Sequence, residues 1–211
     1  MLFQRFVDKF KKDDFLPEYP RSFKYTFHLY VAVTFSGALV WTILSVVYGL
    51  YWVALLPGTF LVSSLVNLLY LYTSHNFKVV RFIHLFTGMT LPFVFQWVLG
   101  GFTATGAVML WSLIALFASL SFTEIKKSHY WIILFATLLL ISAFIDHQVI
   151  INTPEVLKDE YNQKLFFTLN IGAIGIISFF MIQSYVILNI KRRKVNKLLS
   201  TQKEQLVNKN H

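Results

Sequence analysis

Apolar residues fall into six long blocks, 27–48, 52–72, 79–99, 106–122, 130–145 and 165–190, parted by short polar or glycine-bearing breaks. A helix needs about 20 mostly apolar residues to cross the hydrocarbon of a bilayer. The pattern therefore predicts an all-α integral membrane protein of six transmembrane helices, arranged as three hairpins whose external turns are short, short and long. The first two blocks are split only by Gly49, Leu50 and Tyr51, and the fourth and fifth are short, so a five-span or re-entrant arrangement is the weaker alternative. In the long turn, 146–163, Pro154 followed by Glu155, Val156 and Leu157 predicts a short helix with proline in its first turn.

The ends differ from the middle. In segment 1–26, Leu2, Phe3, Phe6, Val7 and Phe10 share one helical face beside Arg5, Lys9, Lys11 and Lys12. That pattern suits a helix lying in the membrane interface, or one packed on the bundle. It lacks the continuous apolar core of a signal peptide, so the first span is expected to stay in the mature protein. After Gly175 neither Gly nor Pro occurs, and Leu188, Val195, Leu199 and Leu206 form a short heptad-like stripe. Segment 191–211 is therefore expected to be a cytoplasmic helical stalk beyond the membrane domain, 27–190, with a basic helix lying on anionic lipid as the alternative.

Composition supports the lipid environment: 56% of the 211 residues are hydrophobic and 18% aromatic, with a mean hydropathy of +0.59. Charge then orients the chain, because cytoplasmic loops retain Lys and Arg. Seventeen of the nineteen basic residues precede the first span, follow the last, or lie in the second-to-third and fourth-to-fifth junctions. The opposite side has only Lys158 and Lys164, among Asp146, Glu155, Asp159 and Glu160. Both termini are thus expected in the cytoplasm. The net charge of +9 reads as topology and anionic-lipid contact, with no nucleic-acid partner expected.

Candidate chemistry is sparse. No cysteine occurs, which removes disulfides, thiolate metal sites and cysteine nucleophiles. No Asp, Glu or Lys lies in mid-span, which argues against an ion-coupled transporter and leaves a small transporter or lipid-handling protein as the alternative function. The intramembrane amides are Asn67, Gln96, Asn170 and Gln183, and Asn67 and Gln183 read as packing contacts between helices. His28 and His84, near the cytoplasmic ends of spans one and three, could in principle ligate a haem iron. Without a further signature they read as interfacial side chains, and neither a cofactor nor a metal is expected. His147, beside Asp146, is a candidate for ligand or proton sensing, or a solvated loop residue.

The most distinctive stretch is Leu91–Trp111, LPFVFQWVLGGFTATGAVMLW. Pro92 can kink span three, Gly100 and Gly101 permit a tight turn, and Gly106 lets two helices approach closely. Gln96, Trp97 and Trp111 bring polar and aromatic groups to the external leaflet, either as anchors or as the lining of a pocket for a lipid-like or apolar ligand. Together with Asn170 and His147, these residues and the glycine pair are the candidate ligand-binding set.

The run from Arg81 through Pro92, Gln96, Trp97, Gly100, Gly101, Phe102 and Gly106 to Leu110, Trp111, Ser112 and Leu113 resembles the six-span membrane domains of bacterial class III adenylate/guanylate cyclases. Related modules precede histidine kinase cores. The similarity extends from about Phe27 to the tail LLSTQKEQLVNKN, which is similar to the helix feeding a cyclase catalytic domain. No position matches a cyclase catalytic motif, so the chain is expected not to be an enzyme itself. The resemblance implies a homodimeric receptor or regulatory domain in a bacterial inner (plasma) membrane. Its last helix would pass a signal to a cytoplasmic cyclase or kinase output domain that lies outside this sequence.

Overall fold

The computed structural model describes residues 21–122, 125–150 and 153–209, and no strand occurs among them. The elements are α1 (Arg21–Val47), α2 (Tyr51–Ser74), α3 (Phe77–Val98), α4 (Gly101–Ala104), a 3-10 turn (Val108–Trp111), α5 (Ser112–Phe122), α6 (Ile125–Val149), α7 (Glu155–Lys158) and α8 (Glu160–Lys209). Most of segment 1–26 lies outside the described residues.

The breaks between helices have local causes. Gly49 ends α1 in the left-handed region at φ 73°, while the amides of Gly49 and Leu50 donate to Val46 and Ser45 carbonyls at 3.0 and 2.7 Å. This is the glycine-terminated cap expected where a chain must reverse within three residues. His75 ends α2 with φ 54°, and the Asn76 side chain then caps α3 by accepting from the Val79 amide at 3.3 Å. Pro154 sits immediately before α7, as the sequence predicts.

Among the described residues, five helices are long and apolar enough to cross a membrane: the parts of α1, α2, α3, α6 and α8 spanning Thr26–Val47, Tyr51–Ser74, Phe77–Val98, Ser128–Val149 and Glu160–Ile187. The fourth predicted span differs. It is a shorter apolar helix, Val108–Ser121, because Gly106 and Ala107 both take positive φ and stop the helix from starting earlier. Its position accounts for its length: Ile114, Ala115, Ala118 and Ser119 are wholly buried, and α5 packs against α1, α3, α6 and α8. Helices around the periphery carry the large exposed apolar side chains, among them Val62 and Val66 on α2, Ile133 and Leu140 on α6, and Phe179 and Phe180 on α8. Such a surface suits lipid rather than water. The chain is a multi-pass membrane protein.

Two clusters form the core. One joins Phe27, Tyr30, Leu71, Leu85, Met89 and Ile114, and the other joins Trp41, Val53, Phe95, Leu99, Val108 and Phe166. Trp111 packs against both. The sixth predicted span begins earlier than its apolar block, at Glu160, and continues without a break to Lys209. Side chains of the Leu188, Val195, Leu199 and Leu206 stripe fall outside those described.

Candidate functional site

The segment between α3 and α5 is folded into the bundle and held from two sides. Gly100 and Gly101 adopt φ 100° and 91°, a region that only glycine enters readily. Side chains there would strike Thr153 and Asp146 respectively. With no Cβ in the way, the Asp146 carboxylate accepts from the Phe102 amide at 2.9 Å, tying the turn to the end of α6. Below it, Trp97 Nε1 donates to Ser142 Oγ at 2.7 Å, a second link from α3 to α6.

Asn170 holds the other side. Wholly buried on α8, its Nδ2 donates to the Thr105 and Gly106 carbonyls, each at 2.9 Å. Its Oδ1 accepts from Trp111 Nε1 at 2.8 Å. This approach requires Gly106, since a Cβ there would collide with the α8 backbone at Phe166 and Phe167. Loop carbonyls, indole and α8 therefore form one hydrogen-bonded unit inside an apolar surround, where each bond is costly to break because no water replaces it.

Trp111 is also constrained sterically. Its six-membered ring lies against Gly37 of α1, in the space that a side chain would occupy. The indole lines a cavity of about 70 Å³ between α1, α2 and α3, bounded also by Thr34, Trp41, Pro57, Phe60, Pro92 and Phe95. The indole also lines a larger slot of about 450 Å³ between α1 and α8. Gln96 is completely buried. Its Oε1 accepts from the Met109 amide at 3.4 Å, whereas its Nε2 has no partner among the described residues.

No family model, curated protein or solved structure matches this chain.

Of the sequence-predicted set, Gln96, Gly100, Gly101, Trp111 and Asn170 meet around the loop, and Trp97 stands beside them on α3. His147 does not join them, being exposed on α6. Its neighbour Asp146, weighed only as loop charge, is the residue that holds the glycine turn. Thr105, whose hydroxyl donates to the Gly101 carbonyl at 2.8 Å, also belongs to the loop, and Thr153, in the turn after α6, borders it at Gly100. Opposition of an acidic residue at a helix end to a Gly-Gly pair was the available signal for Asp146.

A second polar group surrounds His84 and corrects the expectation for it. That residue is buried rather than interfacial, with its ring in edge or tilted contact with Phe27, Tyr30 and Phe60. Its Nε2 is 3.2 Å from Thr34 Oγ1, and its carbonyl accepts from the Tyr30 hydroxyl at 3.2 Å. Both His28 and His84 contact the ring of Phe27. Asn67 makes the expected helix–helix contact, donating to the Val80 carbonyl at 2.8 Å. Gln183 does not: it lies on an exposed face of α8. No group of three His, Asp or Glu side chains converges as a metal site would require among the described residues. The candidate site is thus a hydrogen-bonded junction bordered by two mostly apolar recesses.

Proposed function

We propose that this chain is a membrane receptor or regulatory domain whose output leaves through α8. The observation that carries the reading is that one unbroken helix of 50 residues, Glu160–Lys209, contains both Asn170, the hydrogen-bonding centre of the candidate site, and the basic segment beyond the apolar span. At about 1.5 Å per residue such a helix extends roughly 75 Å, longer than any bilayer is thick. A change in the packing of Trp111 and Asn170 is therefore applied directly to the element that reaches the cytoplasm.

In this reading the chain crosses a bacterial inner membrane six times, with α5 as the central short span and both ends cytoplasmic. It acts as a homodimer, and α8 sets the relative orientation of two nucleotide cyclase or kinase output domains. Support comes from the distribution of Lys and Arg and from the resemblance around Gln96, Gly100, Gly101 and Trp111. A ligand shifts the balance only if it favours one of two packings of the hairpins. The slot between α1 and α8 also favours a second reading, a small transporter or lipid-handling protein.

The test is the oligomeric state in lipid nanodiscs, by mass photometry, of the full chain and of a form lacking 191–211. A dimer weakened by the truncation supports the receptor. A monomer in both forms refutes it in favour of the second reading. Fusion of α8 to a cyclase core in successive registers is the functional counterpart, and output indifferent to register rejects transmission through the helix.

A further inference from the structure

The slot of about 450 Å³ is bounded by Val33, Gly37 and Val40 of α1 and by Ala173 and Ile177 of α8, with Trp111 at its back. Along α1 its lining runs from Ala32 to Leu44, about 18 Å of helix. That length is comparable with the ~15 Å half-thickness of the bilayer hydrocarbon. Gly37 stands halfway along the membrane-length part of α1, Thr26–Val47, so the slot lies at hydrocarbon depth.

Its polar atoms are already engaged. The Ser36 hydroxyl donates to the Ala32 carbonyl of its own helix at 2.8 Å. Asn170 uses its amide on the Thr105 and Gly106 carbonyls and its oxygen on Trp111, which also occupies the indole N–H. With these donors committed and only spare lone pairs left on the Ser36 and Asn170 oxygens, a polar ligand would regain little of the hydration it loses. A hydrocarbon chain loses nothing there and gains packing contacts in a recess that is open toward lipid.

We infer that the slot between α1 and α8 is a binding site for the acyl chain of a membrane phospholipid, seated against the face of Trp111. Occupation of the slot presses on an indole whose other constraints are Gly37 and the bond to Asn170. Chain binding and the position of α8 are thereby coupled. That coupling rests on the receptor reading above, whereas the site itself does not.

The experiment uses the full chain in phosphatidylcholine nanodiscs doped with phosphatidylcholine bearing a diazirine on its acyl chain. Labelled residues are mapped by mass spectrometry after irradiation. Labelling enriched at Val33, Val40 and Ala173 over the lipid-facing controls Val62 and Leu140, and lost from the slot in both Ala173→Trp and Val33→Trp, is expected. Persistence of the control labels in those variants shows that the bundle is intact. Native mass spectrometry after detergent extraction is expected to retain one phospholipid per chain, and to lose it in the same variants.

Slot labelling no stronger than at the controls, or unchanged by filling the slot, overturns the proposal. So does efficient oxidative coupling of two Ala173→Cys chains without lipid label in the slot, which would place a second copy there. Specific slot labelling combined with output indifferent to α8 register would reject the receptor reading and leave the lipid site standing.

Discussion

Replacement of Asn170 by leucine removes three hydrogen bonds at once while keeping the number and branching of side-chain heavy atoms. The Thr105 and Gly106 carbonyls lose their 2.9 Å donor and Trp111 Nε1 loses its 2.8 Å acceptor. Interhelical bonds in membranes average about 0.6 kcal/mol each, so the bonds alone amount to roughly 2 kcal/mol. Three buried groups left without partners raise the cost, since an unsatisfied donor or acceptor typically carries about 1–3 kcal/mol. Part of that is recovered because leucine packs well in an apolar surround. A destabilisation of about 2–4 kcal/mol is expected for Asn170→Leu, measured by reversible unfolding in bicelles. The cycle formed with Trp111→Phe isolates the indole contact, whose coupling energy should be about 0.5–2 kcal/mol. Asn170→Leu within about 0.5 kcal/mol of the parent, the range of an ordinary surface change, would refute the view that this amide holds the loop to α8.

Ala107 sits at φ 56°, where a Cβ costs about 1–2 kcal/mol. Ala107→Gly relieves that at an entropic cost of about 0.5–1 kcal/mol, and a small net rise in thermal midpoint is expected. A fall would mean that the alanine methyl contributes packing. Trp97→Phe and Ser142→Ala each break the 2.7 Å bond between α3 and α6 and should each cost about 1 kcal/mol, while the double variant should cost clearly less than their sum in the same unfolding assay. Gln96→Met removes a buried amide nitrogen that has no partner among the described residues together with a long 3.4 Å acceptor contact. Unchanged or increased stability is expected, and a loss beyond about 2 kcal/mol would show that the amide is hydrogen-bonded in the membrane.

Much of the architecture was legible because apolar blocks have to match the thickness of hydrocarbon, and breaks such as Gly49 and Pro154 act through local backbone rules. The fourth block, 106–122, yields the short apolar helix Val108–Ser121, and the conformation that starts it is not visible in the pattern. Ala107 gives no sign of a left-handed conformation in sequence, and it follows directly on the Thr105 and Gly106 carbonyls that Asn170 holds. Partners of this kind are invisible to residue patterns, as every residue except proline offers the same amide and carbonyl. Asn170 was recognisable as an unusual amide, but not as the clamp on a loop more than sixty positions away. His84 was placed at the interface by its distance from a helix end. Burial followed instead from the ring contacts of Phe27, Tyr30 and Phe60, which depend on how α1, α2 and α3 come together.

Trp111 is shared by two apolar clusters that otherwise draw on different side chains. Shared membership makes this one indole a determinant of folding cooperativity. With it in place, loosening either half withdraws contacts from the other, so the bundle is expected to open as a single unit. Cutting the side chain back to alanine would leave two cores able to open separately, and amide exchange would then resolve two subglobal openings of different free energy in place of one.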